Sequence, residues 1–158
     1  MKNKSHTTNR RTARKIALKA LYARELSGDD ASHILSTVIS EHFANSEQLE
    51  LKKFCESLFL RTIRHVEELD EILEEHSRNW DVNRLAVLDK LILRMALTEF
   101  LYFEDIPVKV TINEALEIAK SYSTKKSSSF INGLLDSALE SLQREDRILK
   151  EGRGLVQS

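Results

Sequence analysis

The sequence contains few residues that interrupt or cross-link a chain. Its 158 residues include one proline, four glycines and one cysteine. Because proline and glycine disfavour helices, their scarcity, together with abundant Leu, Ala, Glu, Lys and Ser, predicts an all-α protein. The single cysteine, Cys55, excludes an internal disulfide and a thiolate metal cluster, so we expect a reducing, cytoplasmic compartment. Cys55 lies among Phe54, Leu58 and Phe59, which favours a core thiol over a reactive one.

The chain also lacks a long uncharged apolar run and the motifs of common enzymes. Its most apolar stretch, Leu85 to Phe103, is interrupted by four charged residues, so it predicts a buried central helix and no membrane span. There is no HExxH, glycine-rich phosphate loop or nucleophile elbow. The five histidines fall in different predicted elements. We therefore predict no catalytic residue, no metal site and no cofactor.

Acidic residues are missing from the whole amino-terminal stretch, and the first one is Glu25. The cations that precede it are Lys2, Lys4, Arg10, Arg11, Arg14, Lys15, Lys19 and Arg24. Since the formal net charge of the chain is −1, these eight cations leave about −9 on the remainder. Surface helices usually mix charges of both signs. This segregation predicts that an external polyanion such as RNA or DNA supplies the missing negative charge.

A helix that begins near residue 10 separates these cations from a packing face. Helical spacing places Ala13, Ile16, Ala17, Ala20, Leu21 and Ala23 on one side, and Arg11, Arg14, Lys15, Leu18, Lys19 and Tyr22 on the other. Tyr22, among cations, is suited to stacking on an unpaired RNA base, with helix packing as the alternative. Residues 1–9 lack a pattern and predict a flexible basic arm, with Thr8 or Asn9 as the helix N-cap.

The rest of the chain divides into further helical segments. A stop and an N-cap in residues 27–30 introduce a short second helix, and residues 47–77 predict one long helix or two joined near His65. The loop Glu104–Pro107 follows the apolar helix, and the β-branched run after it is interpreted as helix, with a strand as the alternative. Residues 125–129 are predicted to form a basic loop before the last helix. Within that helix, Gly133 predicts that a neighbouring helix approaches closely.

Two segments resemble the signatures of a known family. The segment RRTARKIALKALYARELS resembles the N-terminal signature of the NusB family of bacterial transcription antitermination factors. The segment LAVLDKLILRMALTEFLYFEDIPVKVTINEALEIAKSYSTKKSSSFINGLLDSAL resembles its C-terminal signature. Together they cover about half of the chain, and the part between them matches only in helical character.

This resemblance implies about seven helices in two small packed subdomains. We expect an arm at 1–9, an N-terminal subdomain at 10–79, a C-terminal subdomain at 80–146 and a tail at 147–158. NusB-like proteins pair with the ribosomal protein NusE, and the heterodimer binds the boxA element of nascent ribosomal RNA. That complex helps RNA polymerase pass terminators. The resemblance therefore implies a non-catalytic, RNA-binding antitermination factor.

The same resemblance assigns roles to individual residues. The arginine-rich RNA segment of the family falls on Arg10, Arg11 and Arg14, and Lys15 and Lys19 extend the same basic face as predicted RNA contacts. Two residues, Tyr22 and Asp89, fall on family positions near NusE. The family's aromatic residue at the start of the last helix matches Phe130, predicted here as an RNA contact with core packing as the alternative.

The chain departs from the family just before that aromatic residue. Where many relatives have an acidic pair and a His-Lys, this sequence has Lys125 and Lys126 followed by three serines. Lysines beside a helix N-terminus favour phosphate, so we predict that both extend the RNA surface.

Several alternatives remain open at the level of sequence. The basic helix also fits a protein-interaction module that binds no RNA. A ribosomal RNA methyltransferase, to which NusB-like domains are sometimes fused, is disfavoured because the chain lacks a glycine-rich cofactor loop and room for the catalytic domain. The bases recognised in RNA, and whether the free protein is a monomer or a homodimer, do not follow from the residues.

Overall fold

The protein is all-helical. The computed structural model describes residues 2–44, 46–77, 85–122 and 125–155, with side chains from residue 10 onward except those of 46 and 125. These residues form seven helices and no strand, which confirms the predicted fold class. The helices are α1 (Lys2–Ser27), α2 (Ala31–Ile34, the π-helical turn Leu35–Ile39 and Ser40–His42), α3 (Leu49–Arg64), α4 (Val66–His76), α5 (Val87–Tyr102), α6 (Val108–Tyr122) and α7 (Lys125–Arg144). None of the helices in this part of the chain is long and apolar enough to cross a membrane.

The chain forms two compact units, Met1–Ile63 (unit 1) and Arg64–Ser158 (unit 2). The division therefore precedes the boundary expected after residue 79. A break between two helices lies close to this division, because His65, with φ −106° and ψ 18°, separates α3 from α4. Residues 47–77 thus contain two main helices, and α4 packs on α5 and α7 inside unit 2. The junction predicted at Trp80 and Asp81 lies outside the described residues.

Unit 1 begins with a longer helix than the sequence predicted. Because α1 starts at Lys2, residues 2–9 belong to it, and Thr8 and Asn9 are interior positions instead of N-caps. No glycine or proline occurs between Lys2 and Ser27, and polar residues such as Thr and Asn cost a helix only about 0.7 kcal/mol each. The end of α1 follows the prediction: Gly28 has φ +75°, and its N–H donates to the Arg24 carbonyl at 2.9 Å.

The cap of α2 and the core of unit 1 also agree with the sequence analysis. The Asp30 carboxylate accepts a hydrogen bond from the His33 N–H at 2.9 Å, which satisfies an otherwise unpaired donor of the first turn. From α3, Cys55, Leu58 and Phe59 are completely buried. Burial raises the pKa of the Cys55 thiol to about 12, so it stays protonated at neutral pH. The interpretation of Cys55 as a core thiol is confirmed.

Unit 2 is built around α5, which packs against α4, α6 and α7. Its most buried residues are Leu91, Ile92, Leu93, Met95, Ala96, Leu97, Thr98, Glu99 and Phe100. Arg94 forms two parallel 2.8 Å hydrogen bonds with Asp70, a bidentate pair that joins α5 to α4. The Thr111 hydroxyl donates to the buried Glu99 carboxylate at 2.8 Å and joins α6 to α5. The β-branched run after Pro107, for which the sequence allowed a strand as the alternative, is therefore the start of α6.

Within the segment predicted as a tail, the described residues 147–155 pack against the helices of unit 2. Arg147 pairs with Glu68 at 3.1 Å and with Glu145 at 3.2 Å. The Lys150 ammonium donates to the carbonyls of Glu99 at 2.9 Å and Phe103 at 2.7 Å, which satisfies acceptors at the C-terminal end of α5. Apolar periodicity cannot predict this docking, because hydrogen bonds and ion pairs hold the segment.

Glycine is needed at a different position from the one predicted. Gly133 is exposed and a Cβ built on it meets no atom within 4 Å, so the predicted close approach of a helix is wrong. A Cβ on Gly154 would lie 1.9 Å from the Glu104 carbonyl oxygen. Only glycine lets the backbone of residue 154 lie against the α5–α6 loop.

Candidate nucleic-acid interface

One face of α1 presents cations and apolar groups to solvent. We call it the α1 stripe: Thr12, Lys15, Lys19, Tyr22 and Leu26, spaced three or four residues apart and therefore aligned along the helix. Lys19 is exposed and Lys15 is half-buried, and neither lysine forms an ion pair within the described residues. Tyr22 is 37% exposed and Leu26 is 68% exposed. The α1 stripe thus offers two ammonium groups and an aromatic ring on one rigid element.

The arginines beside the α1 stripe are held by an aromatic ring. The guanidinium carbons of Arg10 and Arg14 lie 4.8 and 5.3 Å from the centroid of the Phe54 ring on α3. At such distances the negative face of the ring attracts a cation. Arg10 and Arg11 are half-buried, whereas Arg14 is only 3% exposed. Phe54 is therefore one of the contacts that position two of the predicted RNA-binding arginines.

This arrangement corrects the predicted division of α1 into faces. Helical spacing predicts Arg14 and Leu18 on the basic side, yet both are buried, with Leu18 at 1% exposure. Helical spacing gives the angular position of a residue, but the width of the buried face depends on which neighbour covers it. Nothing in the sequence separates Phe54 from the other apolar residues of α3, so its contact with the arginines was not predicted.

In unit 2, the segment predicted as a basic loop is helical. Because α7 begins at Lys125, residues 125–129 form its first turns. The Ser127 hydroxyl donates to the Asp89 carboxylate at 2.9 Å, which fastens the start of α7 to the first turn of α5. Lys126 is exposed and Phe130 is half-buried. The side chain of Lys125 lies outside the described residues.

Asp89 has a structural contact of its own. It is 7% exposed and lies in the first turn of α5, where a carboxylate interacts favourably with the helix dipole. Such a buried side chain offers a partner little surface. Its contact with NusE stays a prediction, and the structure gives it a role in joining two helices of unit 2.

The chemistry that these residues support is binding. No group of three or more His, Cys, Asp or Glu side chains suited to a metal ion occurs in the described ranges. Exposed ammonium groups hold phosphates by charge, and a neighbouring tyrosine ring stacks on a base. The predicted site residues are divided between the units: Arg10, Arg11, Arg14, Lys15, Lys19 and Tyr22 belong to unit 1, and Asp89, Lys125, Lys126 and Phe130 belong to unit 2.

Known proteins are similar to this chain in both sequence and fold. Residues 11–140 match the model of the NusB family. The chain is 43% identical over 149 residues to the transcription antitermination protein NusB of Salinibacter ruber, across 94% of this chain and 92% of that protein. The structure of NusB from T. maritima is similar with a TM-score of 0.74 and 33% identity, over 83% of this chain and 90% of that one.

A third comparison concerns fold alone. A chain in the crystal structure of antitermination factors NusB and NusE in complex with dsRNA has a TM-score of 0.75 and 24% identity. The alignment covers 85% of this chain and 98% of that chain. Together with the two similarities above, it places this arrangement of helices among NusB structures.

Proposed function

This chain belongs to the NusB family of transcription antitermination proteins, and from that premise we propose that it is a non-catalytic adaptor that binds boxA-type single-stranded RNA as a heterodimer with NusE. In this proposal the heterodimer acts in the cytoplasm, within an antitermination complex of RNA polymerase on nascent ribosomal RNA. The observation that carries the RNA part is the α1 stripe, where the half-buried Lys15 and the exposed Lys19 and Tyr22 share one helix face. We further propose that the free protein can form a homodimer.

Electrostatics supports a local RNA contact. The first 24 residues contain cations and no acid, while the rest of the chain has an excess of negative charge. RNA phosphates are attracted to the basic element and repelled by the acidic remainder, which concentrates binding on α1. Because the lysines project from a formed helix, little backbone entropy is lost on binding.

The half-buried arginines contribute differently from the lysines. Contact with the Phe54 ring limits the positions of Arg10 and Arg14 before RNA arrives. Arg14, at 3% exposure, adds positive potential beneath the surface, and Arg10 and Arg11 keep part of their surface for phosphate. We propose that Tyr22 and Leu26 form the part of the α1 stripe nearest to NusE, because both expose apolar surface.

The test of this function is a gel shift with boxA RNA and a scrambled RNA, with and without NusE. We expect boxA to be retained more strongly than the scrambled control, and NusE to increase the difference. If three or four phosphates are neutralised, log affinity falls against log salt with a slope of about −2 to −3. Equal retention of both RNAs would mean that charge alone drives binding and that the protein does not recognise the boxA sequence. A response independent of salt would favour a protein-interaction module that binds no RNA.

Unit 2 contributes a separate, smaller expectation. Lys126 is exposed in the first turn of α7, where helix N–H groups also favour anions. We expect Lys126→Ala to weaken boxA binding by about fourfold near 0.15 M salt, the value for one lost phosphate contact on a single strand. Filter binding at several salt concentrations measures it, with Lys120→Ala on α6 as the control. Unchanged affinity of the Lys126→Ala variant would mean that the first turn of α7 does not contact RNA.

A further inference from the structure

Unit 2 contains a cavity that the proposed RNA contacts do not use. Its volume is about 440 Å³, and its wall includes Glu104, Val108, Asp146, Leu149, Glu151 and Leu155. These residues come from the α5–α6 loop, the start of α6, the end of α7 and the docked C-terminal segment. A volume between about 300 and 1,000 Å³ is typical of sites that hold a ligand or several side chains.

The wall of this cavity is fixed by contacts inside unit 2. The Glu151 N–H donates to the Glu104 carbonyl at 3.0 Å, and Lys150 is held by two carbonyls at the end of α5. The close approach of Gly154 to Glu104 adds a steric constraint. At the end of α7, the Arg147 N–H donates to the Leu142 carbonyl at 2.9 Å. The cavity is therefore formed before any partner binds.

Negative charge dominates the rim. Glu104, Asp146 and Glu151 are exposed, and none of the three forms an ion pair within the described residues. Among the described residues that line the wall, the cation is Lys150, whose ammonium donates to the carbonyls of Glu99 and Phe103 and is also attracted by the Glu104 carboxylate. Three carboxylates against one ammonium give the cavity a net negative charge, which disfavours phosphate and favours a cation.

Apolar surface lies beside these carboxylates. Leu149 is 62% exposed and Leu155 is 64% exposed, and Val108 adds a further apolar side chain to the wall. Exposed apolar residues grouped within a polar rim are typical of surfaces that bind another protein. A partner must therefore bring apolar side chains for the leucines and positive charge for the carboxylates.

We propose that this cavity docks a basic peptide segment of a partner protein, one in which Lys or Arg residues lie next to Leu, Ile or Val. The apolar side chains of the segment pack against Leu149 and Leu155, and its cations pair with the carboxylates of Glu104, Asp146 and Glu151. Charge complementarity selects this occupant over a nucleic acid. None of the residues that line the cavity belongs to the RNA surface proposed for α1.

Fluorescence anisotropy with the full-length protein tests the proposal. The probe is a labelled 12-residue peptide in which Lys-Lys and Leu-Leu pairs alternate, and the comparison peptides replace every Lys by Glu or every Leu by Ser. We expect the Lys-Leu peptide to bind, and both comparison peptides to bind at least about 10-fold more weakly, because each lacks one of the two required interactions. Binding of the Lys-Leu and Leu-to-Ser peptides with equal affinity would overturn the proposal.

Variants of the protein locate the binding. We expect binding of the Lys-Leu peptide to weaken by about 10-fold or more in the triple variant Glu104→Gln/Asp146→Asn/Glu151→Gln. The double variant Leu149→Ser/Leu155→Ser is expected to weaken it by a similar factor. The matched control, Glu71→Gln/Glu74→Gln/Glu75→Gln, removes three exposed carboxylates of α4 and leaves binding unchanged. Equal weakening by the control triple, or no binding at all, would overturn the site. A thermal unfolding transition like that of the parent protein, followed by circular dichroism, shows that each cavity variant remains folded.

Discussion

Reversing two charges on the α1 stripe, Lys15→Glu with Lys19→Glu, is expected to weaken boxA RNA binding by about 100-fold near 0.15 M salt. Losing two phosphate contacts on single-stranded RNA accounts for a factor of about 15 at that salt concentration. The two new carboxylates then repel the phosphates and supply a further factor of about seven. Folding is expected to be preserved, because Lys19 is exposed and Lys15 is half-buried, without an ion pair in the described residues.

A matched reversal separates this local contact from net charge. Lys109→Glu/Lys120→Glu changes the charge of the protein by the same amount on exposed positions of α6. We expect it to change RNA affinity by less than about threefold, because it leaves the lysines of the α1 stripe in place and alters only the net charge, whose effect salt screens. The slope of log affinity against log salt should become shallower by about 1.4 in the α1 variant only. Equal effects of the two double variants would contradict a site on α1.

Replacing the ring beneath the arginines is the second large change. Phe54→Ala removes a side chain that is 9% exposed, and we expect the free energy of unfolding to fall by about 3–5 kcal/mol. Phe54→Leu keeps much of the apolar volume and should cost about 1.5 kcal/mol or less, but it removes the π face under Arg10 and Arg14. Urea denaturation followed by circular dichroism measures both values.

The effect of this ring on RNA binding distinguishes a positioning residue from a core residue. Phe59, five residues further along α3, is completely buried, and Phe59→Leu is the matched control for loss of a core aromatic side chain. We expect Phe54→Leu to weaken boxA binding several-fold, since the guanidinium groups lose a fixed position, while Phe59→Leu leaves it unchanged. If both leucine variants bind RNA alike, Phe54 acts in packing alone.

Local chemistry explains which elements the sequence predicts well. The helix stop at Gly28 and the cap at Asp30 follow from positive φ at glycine and from a carboxylate near free N–H groups, which involve residues within one or two turns. The loop before Pro107 follows from the missing amide proton of proline. Because these effects act between residues close together in the sequence, the sequence alone is enough to predict them.

Contacts between distant residues explain what was missed. The burial of Arg14, the role of Phe54 and the contact of Ser127 with Asp89 each join residues far apart in sequence. Gly133 and Gly154 are the same residue type, yet a Cβ would collide with Glu104 at residue 154 and meets nothing at residue 133. Such distinctions arise from the position of a second segment, which helical periodicity does not contain.

The sequence by itself determined the helical fold class, the segregation of charge on α1 and the family to which the chain is similar. Those properties depend on residue type, spacing and local propensity. Only the tertiary structure decided which cations of α1 stay exposed, that the C-terminal segment docks on α5, and that carboxylates and leucines meet around one cavity. The physical reason is that burial and charge pairing depend on what lies across a contact, and folding alone brings those groups together.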